Sequence, residues 1–262
     1  TAMIGTEEAA PTREELESLR QRLLQTQRLS SLGALASSVA HEFNNILTTI
    51  INYAKIGLNN KDEAARTKSL EKILTASERA AKITGGMLGF ARSKPAERRP
   101  TDVVTLVGEV LVLVEKDLTK HRVKLHTRFV GRPQAVVSAT QIQQIILNLI
   151  INARQAMPQG GHLRIEVRES IETNLVEIVV SDTGSGIPAE QLRHIFDPFF
   201  TTKDGPDDTG KGGTGLGLSI CRDIIEAHHG RIRVESLVGR GTTFTVKLPC
   251  FVHGQSSVAS VA

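Results

Sequence analysis

A chain of 262 residues with a formal net charge of +4 has room for about two domains of ordinary size. Its basic residues are spread along the chain and form no arm, which argues against nucleic-acid binding through a basic tail. No apolar run approaches the roughly 18 residues that a membrane span needs, and the two cysteines, Cys221 and Cys250, have the spacing of neither a metal knuckle nor a disulfide framework, so a reducing, cytoplasmic setting is expected.

Eight Phe, one Tyr and no Trp leave Leu, Ile, Val and Ala to build the cores. The opening TAMIGT reads as a cloning remnant, and residues 1–11 as a disordered lead without a secretory signal. No membrane contact is expected within this stretch, although a parent protein can carry sensor or membrane segments. From Thr12, where Thr12 and Glu15 fit a capping box, apolar residues recur at helical spacing: Leu16, Leu19, Leu23, then Leu32, Leu35, Val39, Phe43, Ile46, Ile50 and Ala54. The pattern predicts a helix of about 40 residues, roughly 60 Å long, and a helix of that length with one apolar stripe needs a partner, as in a coiled coil. Residues 59–62 read as a turn, and a second helical pattern runs through Leu70, Ile73, Ala80, Ile83 and Met87 to Ala91. Two helices joined by a short turn make an antiparallel hairpin, and a homodimer completes a four-helix bundle.

The polar, proline-bearing stretch 93–100 is expected to link this hairpin (12–92) to a second domain (101–249), followed by a tail (250–262). In the second domain a helix is predicted over Val103–Lys120. Strands are predicted at 123–130, 135–138, 162–168, 176–181, 231–235 and 243–248, with helices at 140–156 and 216–228. Period-two alternation in Leu163/Ile165/Val167 and Phe244/Val246/Leu248 carries the strand assignments. The mixture predicts a two-layer α/β sandwich, so the fold class is α plus α/β.

His41 lies on the first helix about 200° from the stripe holding Val39 and Phe43. Ser37, Ser38, Asn45, Thr48 and Asn52 share its polar face, with Glu42 adjacent. A neutral imidazole is a competent nucleophile that a carboxylate can orient. Taken alone, the pair fits a solvated histidine better.

Four further segments share a theme. Asn148 and Asn152 sit one turn apart on an otherwise apolar helix, with Gln144 one turn earlier; buried amides need partners, supplied either by helix–sheet hydrogen bonds or by Mg²⁺ and phosphate. Asp182 ends a strand and leads into Gly184 and Gly186, where the carboxylate can accept from an exocyclic amine and the glycines let the backbone approach a flat ring; a plain turn also fits. The run 210–218, GKGGTGLGL, enters a helix whose first N–H groups can bind phosphate. It is not a Walker loop, because no Lys-Ser or Lys-Thr follows the glycines, and it follows no strand, against a dinucleotide fold. Residues 239–242, GRGT, form a tight turn before the last strand.

Together HEFNN (41–45), NLIINA (148–153), DTGSGIP (182–188), FDPFFTTK (196–203), GTGLGLSI (213–220) and GRGTTF (239–244) resemble, in order, the six sequence boxes of sensor histidine kinases of two-component systems. The resemblance covers residues 15–249 and implies a GHKL-type ATP-binding domain behind a phosphoacceptor hairpin. By that resemblance His41 is the phosphoacceptor, Glu42 orients its ring and takes its proton, and Asn45 places a water for dephosphorylating the partner regulator. Asn152, with Asn148, holds Mg²⁺. Asp182 binds the adenine amine, and Gly184 and Gly186 line the base. The lid runs from Phe196 to Gly217, with Lys203 on the γ-phosphate, Gly213, Gly215, Leu216 and Gly217 at the phosphate-side helix, and Thr242 in the last box. ATP and Mg²⁺ are the implied cofactors, and a response-regulator receiver domain the implied partner. Many relatives carry a basic residue three positions after the metal-binding Asn, where this chain has Gln155; Lys203 and Lys211 are the substitutes. An ATPase of the same superfamily, or a nucleotide-responsive dimerisation scaffold, are the alternative readings. The first offers no reason for His41-Glu42 and wants a carboxylate near Gln144.

Overall fold

The computed structural model describes residues 26, 33, 39–91, 97–170, 172–201 and 215–251. Most of the expected coiled-coil extension at 12–38, the lid segment with Lys203, Lys211 and Gly213, and most of the tail lie outside the described residues.

Helix α1 is described over residues 39–59, and α2 spans Glu63–Ala91. The turn between them is closed by side chains. Asn60 Oδ1 accepts from the Asp62 N–H at 3.1 Å, and Asp62 Oδ2 accepts from the Ala65 N–H at 3.2 Å, satisfying donors that the first turn of α2 leaves unpaired. Val39 and Ile46 of α1 and Ala76 and Ile83 of α2 are buried, and α2 also packs on the first helix of the second domain.

That domain begins earlier than the sequence indicates. Arg99 and Pro100, assigned to the linker, already belong to strand β1 (Arg99–Asp102), which pairs antiparallel with β3 (Gln134–Val137). Asp102 ends β1 and caps α3 (Val103–Lys120), its Oδ1 accepting from Val104 at 2.8 Å and Thr105 at 3.2 Å. The buried stripe of α3, Val103, Leu106, Val107, Val110, Leu113, Val114 and Leu118, follows the three-and-four spacing of an amphipathic helix.

Strands β2 (Val123–Phe129), β4 (Gly161–Ser170), β5 (Leu175–Asp182), β6 (Arg231–Leu237) and β7 (Gly241–Pro249) form one sheet in the order β2-β4-β5-β7-β6. β2 and β4 are parallel and the other neighbours antiparallel. Helices α4 (Ala139–Gln155) and α5 (Gly217–Ala227) cover one face. Leu163, Ile165 and Val167 are fully buried beneath them, each contributing about 1.5–3 kcal/mol. The alternate residues Arg164 and Arg168 are exposed on the other face, where Glu177 binds Arg168 at 2.7 Å and also pairs with Lys247. These two cations hold the Glu177 carboxyl below its usual range against the opposing effect of burial, the Lys247 contact being the largest cause. The result is a two-layer sandwich with α4 and α5 against one side of the sheet.

Candidate active site

His41 is exposed on α1 as its spacing predicts. An N–H of the Asn45 amide, one turn on, donates to its Nδ1 at 3.1 Å. A neutral ring in this arrangement carries its hydrogen on Nε2.

Glu42 departs from expectation. Placed beside His41 on a wet face by sequence, it is only 6% exposed, because neighbouring helical positions diverge by about 100° and this one turns toward α2 and α3. Burying a carboxylate costs free energy unless it is paired. Arg79 Nε of α2 lies 2.9 Å from Oε1, and Lys116 Nζ of α3 lies 3.6 Å from Oε2. Arg79 also reaches Glu115 of α3 at 3.2 Å. Sequence reasoning missed Arg79, Glu115 and Lys116, since spacing within one helix does not reveal which helix will cover it.

The second group of residues converges at the ends of β5 and β7. Asp182 is buried at the last position of β5, and its Oδ1 accepts from the Gly184 N–H at 2.8 Å and the Thr242 N–H at 3.2 Å. Burial pushes this carboxyl above its usual range, and the two N–H contacts partly offset that shift. A Cβ on Gly184 would lie 2.6 Å from the Ala156 carbonyl oxygen, so only glycine lets the loop press on the end of α4. Ser185 N–H donates to that same oxygen at 3.0 Å. Gly186 has φ +71 and backs onto the Leu237 carbonyl. The Ser236 hydroxyl, which no motif pointed to, ties the loop to the last turn. It accepts from the Ile187 N–H at 2.8 Å, donates to the Gly241 carbonyl at 3.0 Å and lies 2.9 Å from Thr242 Oγ1.

On α4, Asn148 is buried with its Nδ2 toward α5, donating to the Gly217 carbonyl at 3.4 Å and lying 3.7 Å from Cys221 Sγ. Burial pushes the Cys221 thiol up to about 12, so it packs there as a neutral group. Asn152, one turn further, is half-buried. Gly215 (φ +67) packs against the Phe199 backbone, and Leu216 precedes α5. Phe199 and Gly215 therefore meet near the Asn148 helix, with Gly217 opening α5. Arg154 does not supply the missing cation. It turns to α3, where its Nε lies 3.0 Å from Asp117 Oδ2, an ion pair close in distance but off the hydrogen-bond axis, and its Nη1 donates to His121 Nε2 at 3.1 Å.

A buried acid at a strand end, glycines pressed on neighbouring backbone, and paired amides on the covering helix come together in an α/β sandwich attached to a hairpin with an exposed imidazole. Comparison with known proteins agrees. Residues 31–96 match the His Kinase A (phospho-acceptor) domain, and residues 137–251 match the histidine kinase-, DNA gyrase B- and HSP90-like ATPase family. Sensor kinase CckA of Brucella abortus is 35% identical over 91% of this chain and 26% of its own length. Histidine-protein kinase AtoS of Escherichia coli is 34% identical over 91% of this chain and 38% of its own. Among solved structures, the catalytic domain of histidine kinase ThkA superposes with a TM-score of 0.52 at 33% identity, covering 58% of this chain and 97% of that one. The complex of ThkA with response regulator protein TrrA gives 0.50 at 28%, covering 92% and 68%. The chain thus belongs to the sensor histidine kinases, and it spans between about a quarter and two fifths of the length of CckA and AtoS. Among the described residues no helix is long and apolar enough to cross a membrane.

Proposed function

We propose that this core, within a longer protein, transfers the γ-phosphoryl group of Mg-ATP to His41 and then to an aspartate of a response-regulator receiver domain. One observation carries the reading: an exposed imidazole stands on a hairpin that packs directly on the domain bearing Asp182, Asn148 and the glycine loops. In the first step a ring nitrogen forms a bond to the γ-phosphorus while the bond to the β,γ-bridging oxygen breaks. ADP leaves with that electron pair, and the ring proton passes to Glu42. In the second step the regulator carboxylate takes the phosphoryl group from the nitrogen. Asn45, already at the ring, is suited to hold a water for the reverse discharge of the regulator.

In the pocket, Asp182 reads the adenine amine through Oδ2, since Oδ1 is taken by backbone. Mg²⁺ is commonly held by one or two protein oxygens and the substrate phosphates; Asn152 would supply one oxygen, with Asn148 beside it. When bound, the ion would neutralise phosphate charge. Lys203 and the glycine-rich residues from Gly213 onward would meet the phosphates. The receiver-domain partner is supported by the solved complex of ThkA with TrrA. A cytoplasmic site is proposed because ATP is the donor and both cysteines are free thiols.

Incubation with γ-labelled ATP tests the reading. Acid-labile, alkali-stable label is expected on the wild type and absent from His41→Gln. Label retained in that variant sinks the assignment, and free phosphate without protein label points instead to an ATPase.

A further inference from the structure

Four charges join the three helices around Glu42 in an open chain: Lys116 to Glu42, Glu42 to Arg79, Arg79 to Glu115, at 3.6, 2.9 and 3.2 Å. Glu115 and Lys116 are consecutive residues of α3, so one element of the ATP-binding domain supplies both ends. Two anions and two cations alternate, and the one carboxylate that is buried sits between both cations. Its partners are far more open, with Arg79 and Lys116 side chains 41% and 47% exposed.

The ring beside it is equally unready. The Nδ1 lone pair of His41 takes the Asn45 N–H, and a neutral ring then has its hydrogen on Nε2. Neither nitrogen offers a free lone pair. An acceptor at Nδ1 would draw the hydrogen there and uncover Nε2, and the nearest carboxylate in sequence is Glu42. Among the described residues no hydrogen bond joins Glu42 to His41; its carboxylate oxygens instead pair with Arg79 and Lys116.

We propose that Arg79 and Lys116 are positioning residues for Glu42, withholding its carboxylate from His41 until α3 moves and the Lys116 contact parts. This rests on the role given to Glu42 above. Arg79 belongs to the hairpin and stays with Glu42, whereas Lys116 travels with the ATP-binding domain. The same displacement that carries nucleotide toward His41 therefore loosens the carboxylate. Losing the Lys116 contact shifts the population toward the released state by the strength of one half-exposed ion pair, which sets the expected size of the effect.

The test measures the initial rate of phosphohistidine formation against Mg-ATP concentration for Lys116→Ala and Lys116→Arg, each alone and combined with Glu42→Gln. Lys116→Ala should raise kcat roughly 1.5- to fivefold with KM for ATP unchanged, while Lys116→Arg, which keeps the charge, stays at the wild-type rate. The gain should vanish when Glu42→Gln is added. An unchanged or lowered kcat in Lys116→Ala, a matching gain in Lys116→Arg, or a gain that survives Glu42→Gln each overturns the proposal. Glu42→Gln alone, if it labels at the wild-type rate, removes the role of Glu42 at the ring. That result is read separately from the lysine variants, so the two failures are distinguishable.

Discussion

Asp182 shows how much a single carboxylate oxygen can decide. Its two oxygens stand differently: Oδ1 holds the loop through the Gly184 and Thr242 N–H groups, and Oδ2 is the oxygen proposed above to read the base. Asn keeps an oxygen for the loop but replaces the second acceptor with an N–H donor, which faces the adenine amine donor to donor. Asp182→Asn should therefore fold as the wild type does and bind ADP or ATP roughly 10- to 100-fold more weakly, the cost of a buried donor left without an acceptor. Isothermal titration with ADP beside a thermal melt checks this. Full affinity in a folded variant would remove Asp182 from base recognition. The motif made Asp182 legible in the sequence, because an acid, a glycine and a strand end are all local features. The division of labour between its oxygens was not legible, since Thr242 arrives from 60 residues away. Glu42 was hidden for the same reason: its partners, Arg79 and Lys116, come from two other helices.

At the scale of elements, local pattern and outcome agree wherever one element carries its own signal. Val103–Lys120 is the predicted helix to the residue, because the Asp102 cap and the apolar stripe are both written within it. β1 carried no signal. Arg99-Pro100-Thr101-Asp102 has no apolar alternation and contains a proline, and only pairing with β3 makes it a strand. The joint between α5 and α4 was equally silent. His228, 3% exposed at the end of α5, donates from Nδ1 to the Ile224 carbonyl at 2.7 Å and accepts at Nε2 from the Ser138 N–H, 3.0 Å away at the start of α4. Burial is the largest cause lowering its pKa, the Ile224 contact works the other way, and the nearby Arg98 and His229 side chains add to the lowering. The sign follows from that direction. The folded state disfavours the proton, so the stabilisation is complete above the unfolded pKa of about 6.5 and is lost as pH falls through the lower folded value. Protonation also sets an Nε2–H against the Ser138 N–H, at a cost of about 1–3 kcal/mol. Between pH 7.5 and 5.5 the thermal midpoint of the ATP-binding domain should fall by a few degrees, and less steeply in His228→Gln. Parallel pH profiles for the two proteins would take His228 out of this role. The window sits above the ordinary range of carboxylates, so the acid groups contribute little to the difference.

For the whole molecule, the hairpin poses the question of what covers its other side. Val39 and Ile46 on α1, and Ala76 and Ile83 on α2, are buried within the chain. Leu47 and Ile51, one turn apart on α1, are each 51% exposed, and Leu70 and Leu74, one turn apart on α2, are 66% and 60% exposed. Single exposed apolar residues need no explanation, but an i, i+4 pair on each helix of one hairpin offers an apolar surface that a partner can cover. A second copy laid against that face completes a four-helix bundle around positions that both chains supply, and each leucine buried there contributes about 1.5–3 kcal/mol. We therefore expect a homodimer of twice the 28.4 kDa chain in sedimentation at micromolar concentration. Leu47→Asp combined with Leu74→Asp should reduce it to a single chain, because two carboxylates from each copy would be forced into the dry centre. A wild-type chain that sediments as a monomer, or a double variant that stays dimeric, would place the contact elsewhere. His41 and Asn45 are themselves exposed on α1, and a bundle closed through the leucine face has to leave that imidazole open. A double variant that is monomeric yet still labels at His41 would show phosphoryl transfer within one chain; a monomer that no longer labels would show that each subunit relies on its partner.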